Sequence, residues 1–510
     1  MARRTRTFAW PAPARGLMKA GALAKGPPDA AEVLDNFIPT AEGARLRGGA
    51  VQTATVPASV VSLMVYRSGA AENLFAATAS AVYDVTAPAN PLVSPAASFS
   101  GLAGGDWAFT QFATAAGQFL VIANGTDSVR HYNGLTWTAP TITGVTSSLL
   151  SFVWSHKRRL WFVEKNTLSA WYLPVNSVAG AASEFPLDGV FRLGGSLLFG
   201  GTLSSDAGDG RDDSAIFVTT EGEVAIYQGT DPSSATDWAL TGVYRIGRPL
   251  NKKAWFRVAG DTAVLTEDGI VSVAQAVSSD RTGLQVGAIT APIEDLWQRA
   301  IAARSTTSPF PALVWPTRTI ALIGVPSASA TPISLVANTR TGAWAQITGW
   351  AINALALFND QAMFGTPSGQ IVRADSGGND LGVSYTGIWV PKFQEFNSLE
   401  TKYALRARAM WRAVTQQTVR LACFQNYALG TYPPLTANTV VNPLKWGAAV
   451  KWGARKWGGS NTIIEGSDWQ AVAGSGYALA PALVVSTNGT SSPGFEVAGM
   501  QLLYETGRPI

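Results

Sequence analysis

One hairpin unit recurs along this chain. Two apolar, β-prone runs flank a tight turn in AIFVTTEGEVAIYQG, where the turn is Glu221-Gly222. The same unit recurs in TAVLTEDGIVSVAQA across Asp268-Gly269 and in QAMFGTPSGQIVRAD across Ser368-Gly369. Glycine supplies the positive φ that such turns require between twisted strands. Gly222 and Gly269 stand 47 residues apart, inside the roughly 40–50 residue repeat of propeller blades. Short strands and turns alternate in the same way from about 55 to 380, as in LMVYRSGAAENLFAATASAVYDVT and RRLWFVEKNTLSAWYLP. The expectation is an all-β chain with a β-propeller of six or seven blades over 51–382.

Composition agrees with many short strands. Charged residues make up 14% of the 510, against roughly 25% in ordinary globular chains. The surface must be covered by small polar residues, or much of it must be buried against other subunits. The chain holds 18 tryptophans. Trp137, Trp344 and Trp350 end hairpin segments and are expected to pack between neighbouring blades. Cys423 is the one cysteine, so no intrachain disulfide can form. His131 and His156 are too few for most zinc sites. A net charge of +4 spread over this length does not suggest a dedicated nucleic-acid binder.

The two ends read differently from the middle. Residues 1–50, rich in Pro, Ala, Gly and Arg, are expected to form an extended arm. Pro11, Pro13 and Arg15 break the apolar stretch that a secretory signal needs, and Arg3-Arg4 carries only part of a twin-arginine signal. No run of about 18 apolar residues predicts a membrane-spanning helix. Residues 383–510 are expected to form a separate β-rich C-terminal domain. There, SLETKYALRARAMWRAV alternates as a two-sided strand, with Arg406, Arg408 and Arg412 on one parity. The best helix signal is APIEDLWQRAIAA, Ala291 to Ala303, which groups Ile293, Leu296, Trp297 and Ile301 on one face.

Three constellations invite a chemical reading. The loop SSDAGDGRDDS holds Asp206, Asp209, Asp212 and Asp213. Calcium takes six to eight oxygens, but this spacing lacks the alternation and closing Glu of an EF-hand. A solvated or partner-contacting loop is the favoured alternative. The run LKWGAAVKWGARKWGGS repeats Lys445-Trp446, Lys451-Trp452 and Lys456-Trp457, each followed by glycine. Such a surface can grip a nucleic-acid backbone and stack bases, or stack sugars. A tryptophan ladder packing within the domain or against another subunit, with lysine stems over the rings, is preferred. Finally, propellers can carry glycosidases, yet NGLTW retains only the tail of the Ser-x-Asp-x-Gly-x-Thr-Trp turn, once. No Gly-x-Ser-x-Gly elbow or phosphate-binding Gly-Lys-Ser/Thr loop occurs. The expectation is a protein that is not an enzyme and carries no cofactor.

Several blocks look familiar. VLDNFIPTAEGARLRGG, HKRRLWFVEKNTLSAWYLP, DAGDGRDDSAIFVTTEGEVAIYQGTDPSSATDWALTGVYRIGRPL and MQLLYETGRPI resemble a family of phage and prophage proteins of alphaproteobacteria. In plan the chain is similar to the tail nozzle, or packaged-DNA stabilisation, proteins of short-tailed phages. The resemblance implies a virion location after synthesis in the host cytoplasm. It also implies a homohexameric ring at the head-tail connector, contacts with adaptor, portal and tail-fibre proteins, and DNA passing through without sequence-specific binding. Two other functions remain open: a receptor- or carbohydrate-binding propeller of the tail, and a bacterial propeller scaffold or glycosidase.

Overall fold

The computed structural model describes residues 5–19, 26–69, 71–204, 213–258, 260–305, 309–326, 331–398, 400–415, 417–434, 463–487, 489 and 491–507. The chain divides into two compact units, one of residues 52–332 and 351–373, the other of 1–51, 333–350 and 374–510.

The first unit is a β-propeller with six blades. Four consecutive blades have four antiparallel strands each. Blade 1 begins with Ser62–Ser68, blade 2 with Ala108–Thr114, blade 3 with Leu150–His156 and blade 4 with Leu197–Leu203. Blade 5 has three strands, Trp255–Val258, Asp261–Thr266 and Gly269–Ser272. Its chain then turns helical, because Ser272 caps Val273–Ala276 by accepting from the Gln275 amide. Blade 6 runs Ala354–Phe358, Gln361–Gly365 and Gln370–Arg373. It gains its outer strand, Val51–Thr55, from the segment just before blade 1. That exchange ties the beginning of the propeller to its end.

Between blades 5 and 6 stands a hairpin, Ala312–Trp315 with Ile320–Gly324. Its first strand touches the first strands of both blades, and the first strand of blade 6 returns to that of blade 1. The first strands therefore line the axis and close a ring. The core lies between blades. One cluster joins Val65 and Leu74 of blade 1 to Ala356 and Met363 of blade 6; another joins Met64 and Phe75 to Leu120 and Ile122 of blade 2.

The anticipated turns are present, with Gly222, Gly269 and Gly369 at φ of 83°, 130° and 82°. A second recurrent element accompanies them. Thr78, Asn124, Thr219, Thr266 and Thr366 stand at or just after the end of the second strand of blades 1, 2, 4, 5 and 6, and all are buried. Each side chain bonds the backbone of its own turn. Thr219 Oγ1 accepts from the Glu223 amide at 3.0 Å, Thr366 Oγ1 from the Gln370 amide at 3.0 Å, and Thr266 Oγ1 donates to the Gly269 carbonyl at 2.7 Å. These hydroxyls satisfy turn groups that would otherwise be buried without partners.

Trp137 packs between blades as anticipated. Its ring lies 5.0 Å from Phe75 and 5.3 Å from Phe99 of blade 1, and 5.2 Å from Tyr132 of its own blade. Trp161 of blade 3 stacks on Trp238 at 5.6 Å, and Trp238 stacks on Tyr227 of blade 4. The helix forms over Glu294–Ala302, burying Trp297 and Ala300.

The second unit is built from both ends of the chain and the hairpin Ile333–Asn338 with Trp344–Thr348. One sheet runs, in order, from that hairpin through Ala31–Asp35, Thr386–Pro391 and Leu479–Ser486 to Thr418–Gln425. The other centres on Glu496–Thr506, which pairs with Lys402–Ala413 and with Thr5–Pro11. The segment 1–50, expected as an arm, thus supplies strands to both sheets of this unit. Composition alone resembles that of an arm because the partners of Ala31–Asp35 lie hundreds of residues away. The propeller pattern stops at Arg373, not at 382, and residues 333–350, expected inside the propeller, belong to the second unit. Trp344 and Trp350 are buried there and not between blades.

Candidate functional site

The residues singled out from the sequence fall mostly outside the described residues. This holds for Asp206, Asp209 and Asp212, and for Lys445, Trp446, Lys451, Trp452, Lys456 and Trp457. Asp213 is described. It is 4% exposed at the edge of the strand Ser214–Thr219, with Oδ1 lacking a hydrogen-bond partner.

A cluster of charge lies at the mouth of the propeller axis. All first strands start at the same end of the ring. Asp106 sits two residues before the first strand of blade 2, and Lys253 two residues before that of blade 5. Opposite charges at equivalent positions are thereby brought together across the axis. Lys253 Nζ lies 2.7 Å from Asp106 Oδ1 and donates to Ser62 Oγ of blade 1 at 2.7 Å. Lys252 Nζ lies 3.2 Å from Asp106 Oδ2. It also donates to the backbone carbonyls of Asp106 at 2.8 Å, Ser151 at 3.0 Å and Asn124 at 3.4 Å. The ladder between the first two strands of blade 3 shifts register between Leu150 and Phe152. This bulge frees the Ser151 carbonyl to face inward.

The electrostatics follow from this crowding. Burial pushes the Lys252 ammonium down to about 8, against the pull of Asp106 and with help from Lys253. The Asp106 carboxyl is more than half exposed, and Lys253 and Lys252 hold it well below the usual carboxylate range. The cluster binds one loop of blade 5 to blades 1, 2 and 3, none of which is its neighbour in the ring. Its groups are all engaged with one another, so the arrangement is suited to locking the ring. The doublet in NKKAW was the available sequence signal, since lysines are sparse in this chain.

Two further reactive side chains, His156 and Cys423, are enclosed. His156 is buried, with Nδ1 3.0 Å from Thr202 Oγ1 and its ring edge-on to Trp238. Burial, with Lys157, holds its imidazole down to about 3. Burial pushes the Cys423 thiol up to about 12. Among the described residues no group of three or more His, Cys, Asp or Glu side chains could hold a metal ion.

No model of a known protein family matches the chain, and no curated protein does. Solved structures do match in part. The computationally designed protein Ika8 is 8% identical, over 64% of this chain and 99% of that one, at a TM-score of 0.36. U3-55K is 13% identical over 64% and 98% of the two chains, with a TM-score of 0.33. BBS1N, solved in complex with ARL6DN, is 9% identical over 64% and 97%, with a TM-score of 0.38.

Proposed function

We propose that this chain is a structural protein of a phage tail, a non-catalytic subunit of the nozzle ring that extends the DNA channel below the portal and adaptor and retains DNA until ejection. The observation that carries this reading is the interlaced architecture. The chain passes between its two units at 51/52, 332/333, 350/351 and 373/374, and the strands Thr5–Pro11 and Glu496–Thr506 lie side by side in register over seven residue pairs. Force applied at either end of the described chain would load a long antiparallel ladder before it reached the propeller. A component that holds pressurised DNA needs such resistance. The low charge fraction supports wide subunit contacts, which are depleted of charge at their centres.

The test is to purify particles and count copies of this chain by quantitative mass spectrometry, alongside electron microscopy of the tail. A sixfold ring on the portal axis is the expected result. A single copy per particle, or absence from particles, would reject the reading. Particles made without the chain should lose packaged DNA; retained DNA with lost adsorption would favour a receptor-binding propeller instead.

A further inference from the structure

The surroundings of Lys252 Nζ are those of a metal ion more than of an ordinary ion pair. Four oxygens lie within 3.4 Å: three backbone carbonyls and one carboxylate oxygen. An ammonium has three protons to give, so with four oxygens around it at least one is held by charge and not by a proton of its own. Backbone carbonyls that converge from different chain segments are the usual means of holding a dehydrated monovalent cation. The carbonyls here come from residues 106, 124 and 151, in two blades, and are positioned by strand ends and by the bulge at Ser151. The Lys252 side chain is 11% exposed, so its charge is largely withdrawn from water.

We propose that these four oxygens form a small-cation site at the propeller axis, which the chain fills with its own Lys252 ammonium, and that a free monovalent cation takes the place when that side chain is cut back. The lysine is then a tethered cation. It spares the ring any need for a dissolved ion and joins blade 5 to blades 2 and 3. Lys253 differs in kind: its ammonium meets one hydroxyl and one carboxylate oxygen, which makes a conventional ion pair without a carbonyl cradle.

The experiment compares thermal unfolding of the full chain carrying Lys252→Ala in potassium, methylammonium and tetramethylammonium chloride. Ionic strength is matched, so general screening is constant. The variant should melt below the wild type, and potassium or methylammonium should restore half or more of the loss. Tetramethylammonium, too bulky for the cradle, should restore none. Lys253→Ala should melt alike in all three salts. Equal melting of Lys252→Ala in the three salts, or equal rescue of both variants, would overturn the proposal. Should Lys252→Ala fail to fold, the wild type labelled with nitrogen-15 lysine decides the matter. A slowly exchanging ammonium resonance, assigned to Lys252 by its loss in Lys252→Arg, is expected near neutral pH. Its absence from the wild-type spectrum would overturn the site.

Discussion

Arg47 and Asp380 meet fork to fork inside the second unit, through bonds of 2.8 and 2.6 Å. The Arg47 side chain is fully buried. Its remaining donors reach Asn36 Oδ1 and the carbonyls of Gly48 and Thr348. The guanidinium lies between the rings of Trp350, 4.5 Å away, and Tyr385, 3.8 Å away. Every donor is thus satisfied, and the pair joins an N-terminal segment to a segment more than 300 residues later. Asp380→Asn would leave a buried cation without its counter-charge, at a cost of about 3–5 kcal/mol. Arg47→Lys keeps the charge but cannot reproduce the fork, so it should also destabilise. The double variant Arg47→Met with Asp380→Leu should lose less than Arg47→Met and Asp380→Leu, each made alone beside the wild type, lose in sum. Calorimetric melting of the four proteins checks this; additive losses would show that the pair is not coupled.

The buried threonines of the blade turns should act one by one. Thr219→Val, Thr266→Val and Thr366→Val each keep shape but leave a turn group unpaired, at about 1–3 kcal/mol apiece. Since the three stand in different blades, their effects should add. Denaturant melts of the single and triple variants measure this. A surface threonine such as Thr136, exposed in blade 2, serves as the neutral control.

The turn glycines separate backbone strain from collision. Gly69 and Gly369 both have positive φ, 58° and 82°. A methyl group at Gly69 meets nothing within 4 Å, whereas one at Gly369 runs into the carbonyls of Val56 and Ala58. Gly69→Ala should therefore cost only about 1 kcal/mol of conformational strain. Gly369→Ala should cost more, and should expose the amides of Val51–Thr55 to hydrogen exchange, because the collision falls where that strand completes blade 6.

His156 should give the protein an acid-sensitive step. Its imidazole is neutral in the fold, with the affinity for protons held down to about 3 by burial, while the unfolded chain binds a proton near 6.5. Stability is therefore lost as pH falls below about 6.5, by roughly 2 kcal/mol at pH 5. His156→Phe should flatten the stability profile between pH 7 and 5. An unchanged slope in that variant would assign the acid sensitivity to other groups.

How much of this could be read in advance depends on distance along the chain. The hairpins at Gly222, Gly269 and Gly369 are local, and so was their recognition. The threonine three residues before each of these glycines, in TTEG, TEDG and TPSG, was equally local and equally readable, but a polar residue beside a turn draws no notice until it proves buried. The alternation of Lys402–Ala413 was legible only in part. A register shift between Ala404 and Arg406 reverses its parity, so Ala404 and Ala407 are both buried, and Arg408 lies 4.8 Å over Trp469. The site at the axis was not legible. Nothing local links Asp106 to Lys252; only closure of the ring makes positions 146 residues apart face each other.

The ladder between Thr5–Pro11 and Glu496–Thr506 also has a meaning in time. A ribosome adds about 5–20 residues per second, so the earlier strand would leave it roughly 25–100 s before its partner exists. Through that interval the propeller can close, since its strands all lie between Val51 and Arg373, while Phe8 and Trp10 wait with their backbone unpaired. Birth order and pairing order run opposite ways in the second unit. A nascent chain stalled between the end of the propeller and residue 496 would hold a finished ring and an unpaired strand open to any other edge, which makes the emergence of Glu496–Thr506 the step that closes this ladder.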